Sequence, residues 1–407
     1  MSAGGSIIGF DEALAMVLTH ARALARPNAE SRALVAARGA VLAAPIKTDR
    51  DLPPFDRSTR DGYAVKALDL LYGDAVRVVG TIRAGEAWTG KPLDLSEAIE
   101  IMTGAPLPAG ADAVVMVEHV YEQEGRIRLR EGGSCSEGMN VVRAGSEAKR
   151  GDELLAVGSL LGPAQLALAA ACGAAAVSVY ERPRVAILTT GDELVELSAL
   201  PLPQQLRNSN AWLLKELVEQ SGGETVVLQH AHDERGEIDA GIRAAAGCEL
   251  LVVSGGVSAG RYDFVEEALA AAGAEFYFTG VRMQPGRPVV FGRMKSGQYV
   301  FGLPGNPVST HVTFLTLVRT LLTAMAGMDA RGPRTVTVKL AADAKGKAGM
   351  TQFLPAVMES GAVRVLASKG SGDMVTDARA DGYVVLPESV EHVPAGGAVQ
   401  VLLCEFC

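Results

Sequence analysis

From Arg184 to Met328 short apolar runs alternate with runs of helical period, and this alternation constrains the fold more than any other feature. "RVAILTTG", "TVVLQHA", "ELLVVSGG" and "YVFGLPGNP" read as strands. "NAWLLKELVEQSGG", "GEIDAGIRAAA" and "DFVEEALAAAG" read as helices. Strands that are apolar along their whole length, each followed by a helix, predict a mostly parallel sheet covered on both faces. Ligands of such sheets sit beyond the carboxyl ends of the strands. The loops there are "TTGDE", "HDE", "SGGVSAGRYD" and "GLPGNP", and they define the expected site.

"SGGVSAG" puts Ser254, Gly255, Gly256, Ser258 and Gly260 at one strand end. A phosphate loop of the Walker type would continue with Lys and a hydroxyl residue, but Arg261 and Tyr262 follow. The G-x-G-x-x-G dinucleotide order is absent as well. What remains is a glycine turn whose backbone donors suit an anion. Asn306 and Pro307 suit a helix start, where free N–H groups also favour an oxyanion. Asp192, Glu193, Asp233, Glu234 and Asp263 follow the same strand ends. Converging carboxylates beside an anion loop predict a hard cation such as Mg²⁺ bridging to a phosphate.

The 407 residues are too many for one ordinary core. A net charge of −9 and 5% aromatic residues argue against nucleic acid. Without a basic leader and apolar run, a cytoplasmic location is the expectation. The segment from Val308 to Met328, interrupted by His311, Arg319 and several threonines, reads as a buried helix rather than a membrane span. Five scattered cysteines do not make a disulfide framework, and Cys404 and Cys407 read as a tail rather than a zinc site. His230 and His232 read as structural. Residues 11–44 read as helix interrupted at Pro27, residues 51–142 as a small β domain, and Arg331 to Cys407 as a β barrel or sandwich.

"STRDGYAV", "IMTGAPLPAGADAVVMVE", "TTGDEL", "SGGVSAGRYDF" and "FGLPGNPVS", in this order along the chain, resemble the MoeA family of molybdopterin molybdenumtransferases, related to the gephyrin E domain, and the similarity covers nearly the whole chain. The resemblance implies a multidomain α/β plus β subunit that dimerises. A linker and dimerisation domain would span 1–50 and 143–180, a β-rich domain 51–142, an α/β molybdopterin-binding domain 181–328, and a C-terminal barrel 329–407. It implies Mg²⁺-dependent insertion of molybdate into adenylylated molybdopterin with release of AMP, and transient contact with the adenylyltransferase that supplies this substrate. Soft dithiolene ligands would then belong to the substrate.

Carried over by position, Asp61 and Glu147 match acids of the smaller domains that approach the partner subunit's site. Asp192, Glu193, Glu234 and Asp263 match acids around the nucleotide, with Asp192, Glu193 and Asp263 as Mg²⁺ ligands. Thr190, Gly191, Asn210 and the loop Ser254 to Gly260 would bind substrate, with Pro304, Gly305, Asn306, Pro307 and Ser309 beneath it. "QPGRP" places Gln284 and Arg287 where the family has two lysines, Pro355 falls at an arginine position, and Arg60 replaces a methionine. The oxyanion pocket is therefore expected to hold fewer cations. A paralogue using tungstate or with weakened insertion, a non-catalytic scaffold, and a nucleotide-dependent hydrolase stay open as alternatives.

Overall fold

The computed structural model describes residues 7–71, 74–256 and 264–404. The alternation of Arg184 to Met328 becomes a six-stranded sheet. Its order is Glu224–Ala231, Arg184–Thr190, Leu250–Ser254, Tyr299–Leu303, Val290–Met294, Ala274–Phe278. The first four are parallel, and the last two join antiparallel at the far edge.

Both faces are covered, and the side-chain alternation of a single strand does the sorting. Val185 and Ile187 point to one core, with Leu214 and Leu217 of helix Ser209–Gln220 and Leu315 and Leu322 of the last helix. Ala186 and Leu188 point to the other, with Ile238 of helix Arg235–Ala244 and Val265 and Leu269 of helix Val265–Ala271.

The last helix runs from Pro307 to Met325 and is buried along nearly its whole length. It is long and apolar enough to cross a membrane, but here it is a core element. Four of its hydroxyls are satisfied within the helix: Thr313, Thr316, Thr320 and Thr323 each donate to the carbonyl four residues back, at 2.7–2.9 Å. A π-helical stretch occupies Phe314–Val318.

Helix covers only part of 11–44. It spans Phe10–Arg22, and Phe10, Ala13, Val17 and Ala21 join the α/β core. Ala29–Ala33 is instead a strand, paired antiparallel with Ala176–Tyr180. The alanines of this region mimic a helical pattern, but pairing with a partner far along the chain overrides that local preference.

The small β domain holds a six-stranded sheet built from segments between Gly62 and Leu129. The C-terminal domain is a closed five-stranded barrel, in which Thr351–Glu359 pairs with both Ala362–Val365 and Gly382–Leu386. Thr351–Glu359 has no clear alternation in sequence and carries Pro355, so its length as a strand emerges only in three dimensions. Strand Gly280–Gln284 leaves the α/β unit to pair with it, which places Gln284 opposite Gln352.

Gly62, next to Asp61, tests the β-domain packing. A Cβ there would lie 2.0 Å from the Val115 carbonyl oxygen. Gly62→Ala is expected to destabilise that domain by about 1–3 kcal/mol. Urea unfolding followed by circular dichroism checks this, and an unshifted transition would contradict the packing.

Candidate active site

The strand-end loops converge as expected, and one buried side chain holds them together. Asn210, in the first turn of helix Ser209–Gln220, uses its Nδ2 to donate to Ser254 Oγ at 2.9 Å, to the Gly305 carbonyl at 2.8 Å and to Thr310 Oγ1 at 3.3 Å. Thr310 in turn donates to the Pro304 carbonyl at 2.6 Å. The neighbouring Asn208 caps the helix by accepting from Ala211 N and donates to Thr189 Oγ1 at 2.8 Å. The ends of three strands are thereby tied to one helix start.

Above this floor opens a cleft of about 750 Å³. Its lining includes Thr190, Gly191, Glu193, Asn210, Gly255, Gly256, Pro304, Gly305, Asn306 and Pro307, all among the expected site residues. Gly255 has φ +100°, and a Cβ on it would lie 2.6 Å from the Thr190 carbonyl oxygen, so only glycine fits there. Asn210 Oδ1 and Thr190 Oγ1 are buried without a hydrogen-bond partner among the described residues. Such atoms suit a ligand that brings its own donors and acceptors. Ser254 is buried beneath the lining, in the network of Asn210. Ser258, Gly260 and Asp263 lie outside the described residues.

Of the predicted acids, Glu193 and Asp233 line this cleft, and Asp192 and Glu234 do not. Asp192 Oδ1 accepts from Asp233 N at 3.0 Å. Glu193 folds back until its carboxylate lies 2.7 Å from where a Cβ of Gly191 would be. Glu234 precedes helix Arg235–Ala244 without capping it. His232 Nδ1–H donates to Glu237 Oε2 at 3.0 Å; its pKa is raised by that bond first and, among lesser causes, by the charges of Asp192 and Glu234. His230 Nδ1 lies 3.2 Å from the Thr189 carbonyl. No group of three metal-ligating side chains occurs among the described residues.

A second cleft of about 630 Å³ adjoins the first and shares Pro288, Pro304 and Asn306 with it. Gln284, Arg287, Ser309 and Pro355 line it, and so does Lys347. Gln352 donates to Gln284 across 3.3 Å, so a neutral amide pair occupies part of the wall. Asn306 stands at the helix start, but its side chain does not cap the helix. Its Nδ2 donates to Ser371 Oγ at 3.0 Å instead.

Asp61 and Glu147 line neither cleft. Asp61 accepts from Thr103 N at 2.7 Å and from its hydroxyl at 2.9 Å; the backbone N–H first, then the hydroxyl, hold its carboxyl below the usual range. Glu147 pairs with Arg57 at 3.4 Å.

The sequence reading passed over Arg207 in the first cleft, Lys347 in the second, and the strip "SKGSGDM" from Ser368 to Met374, which contributes to both. Its only signal was a Gly-Ser-Gly run in a polar loop of a different domain. Gly255→Ala is expected to abolish AMP binding, measured by calorimetry, with far-ultraviolet circular dichroism unchanged. Wild-type affinity in that variant would remove the glycine turn from the site.

Three family profiles match nearly end to end. The MoeA N-terminal region (domain I and II) covers residues 8–173, a probable molybdopterin binding domain 186–324, and the MoeA C-terminal region (domain IV) 337–404. A molybdopterin molybdenumtransferase of Nostoc sp. is 33% identical over 91% of this chain and 87% of its own length. One of Staphylococcus aureus is 32% identical over 90% and 88%. A solved moeA protein from Pyrococcus horikoshii superposes with a TM-score of 0.77 at 29% identity, covering 98% of this chain and 100% of that one. Sequence motifs, sheet order and closed barrel agree, and the chain belongs to the MoeA family.

Proposed function

We propose that this chain is a molybdopterin molybdenumtransferase, an enzyme of molybdenum cofactor biosynthesis that inserts molybdate into adenylylated molybdopterin and releases AMP. The observation that carries this reading is the pair of adjoining clefts at the carboxyl ends of the parallel strands. One is built on a glycine turn and the other offers cations.

The first cleft takes the nucleotide and the pterin phosphate. Gly255 and Gly256 let these groups approach the main chain, and Asn210 Oδ1 with Thr190 Oγ1 meet ligand polar groups. Asp192 and Glu193 would hold Mg²⁺, with Asp263 as a third expected ligand. Exposed oxygen donors fit a hard cation that keeps water and phosphate oxygens in its shell. Bound there, Mg²⁺ would neutralise charge on the phosphates.

The second cleft takes the molybdate. Arg287 and Lys347 supply positive charge, and Ser309 lies on its wall. Pro304 and Asn306 line both clefts, which supports an oxyanion seat beside the substrate. We propose a homodimer in which Asp61 and Glu147 complete the partner's site, since they line neither cleft of their own chain. The expected cellular location is the cytoplasm.

Molybdate-dependent AMP release from adenylylated molybdopterin tests the activity. Absence of that dependence would overturn it. Chelating Mg²⁺ is expected to stop AMP release, with restoration on adding Mg²⁺ back. Mixing Asp61→Ala with Asp192→Ala, each inactive alone, is expected to recover part of the activity through hybrid dimers. No recovery after verified subunit exchange would mean that each chain works alone.

The neutral Gln284–Gln352 pair favours a weak oxyanion site. A hydrogen bond to a charged group contributes about 1.5–3 kcal/mol, and about 1.4 kcal/mol is tenfold in affinity. Gln284→Lys is therefore expected to lower half-saturating molybdate about tenfold. Arg287→Ala and Lys347→Ala are expected to raise it by a similar factor. Equal half-saturation in all four proteins would mean that the oxyanion binds elsewhere.

A further inference from the structure

The strip from Ser368 to Met374 belongs to the C-terminal domain, yet it forms part of both clefts. Gly372 and Met374 face the first, and Ser368, Gly370 and Ser371 the second. The strip is braced internally. Asp373 accepts from Lys369 N at 2.9 Å, from Thr376 N at 3.2 Å and from the Thr376 hydroxyl at 2.7 Å. Those bonds stiffen the strip but do not place it against the sheet.

Two anchorages do. At one end Ser371 accepts from Val308 N at 3.1 Å through its carbonyl and from Asn306 Nδ2 through its hydroxyl. At the other end lies a nearly buried trio. His311 Nδ1 is 3.0 Å from Asp377 Oδ2 and 3.0 Å from the Tyr383 hydroxyl, which also bonds Asp377 Oδ1. His311 stands one turn into the helix that starts at the site. Asp377 ends the short helix Met374–Asp377, and Tyr383 is fully buried in a barrel strand. Burial first, then the Asp377 charge, raises the Tyr383 phenol, so it keeps its proton and donates to the carboxylate. His311 Nδ1–H then donates to Asp377.

We propose that His311, Asp377 and Tyr383 form an interdomain latch that sets the wall between the two clefts. They are positioning residues, and none of them lines either cleft. With the latch intact the braced strip is fixed at both ends. Without it the strip keeps Ser371 and the long Ser209 Oγ–Met374 Sδ contact, and the residues it contributes to both clefts loosen, three in the second and two in the first. The names of the ligands rest on the functional reading above, but the mechanical role does not.

The test compares Asp377→Leu with Asp377→Asn, and includes Tyr383→Phe in case the leucine variant folds poorly. The amide of Asp377→Asn can accept from the Tyr383 hydroxyl and donate to His311 Nδ1, so it preserves the geometry without the charge. Hydrogen exchange is followed in apo protein over residues 304–312 and 368–378, with Leu250–Ser254 as an internal reference. Asp377→Leu is expected to speed exchange in both segments and to raise half-saturating molybdate about tenfold. Turnover at saturating molybdate should stay close to wild type, and Asp377→Asn should resemble wild type throughout. Tyr383→Phe should fall between them. Unchanged exchange in Asp377→Leu would overturn the latch. So would faster exchange with unchanged molybdate dependence, or an asparagine variant as impaired as the leucine one. If the wild-type protein shows no molybdate-dependent AMP release, the functional reading fails, and the exchange comparison alone decides the latch.

Discussion

The side chain of Asn210 holds the site together. It is buried, it donates to Ser254, Gly305 and Thr310, and those partners sit on separate elements of the α/β unit. A buried amide left unsatisfied costs about 1–3 kcal/mol, so the network favours one arrangement of these loops over alternatives that break it. The glycine turn at Gly255, the Pro304 carbonyl and the start of the last helix all take their places from this arrangement. Asn210, with Asn208 beside it, thus joins three strand ends into one floor.

The parts of the fold visible in sequence were those set by local pattern. "RVAILTTG" and "ELLVVSGG" show their strands because buried parallel strands are apolar throughout, and the loops after them were found for the same reason. The stretch after Pro27 misled, because alanine-rich sequence reads as helix until a strand such as Ala176–Tyr180 pairs with it. Thr351–Glu359 escaped notice since its role comes from closing a barrel.

The site shows the same division. Gly255 and Asn306 lie in short motifs next to strand ends and were legible, whereas Asn210 came only through the family resemblance. Lys347 and the strip at Ser368 to Met374 were not, because they reach the clefts from the C-terminal domain across a distance that no local period records. Asn306 shows a subtler limit. Its position at the helix start was read correctly, yet its side chain serves Ser371 of the other domain rather than its own helix.

The length and apolarity of the last helix have a consequence for biosynthesis. A segment of this length and apolarity, emerging from a ribosome, resembles one meant for a lipid bilayer. His311 and Arg319 raise the cost of that destination. The helix Phe10–Arg22, made long before it, contributes Phe10, Ala13 and Val17 to the same core. Cover for much of the segment therefore exists before the barrel has been translated, and the order of synthesis itself protects the nascent chain.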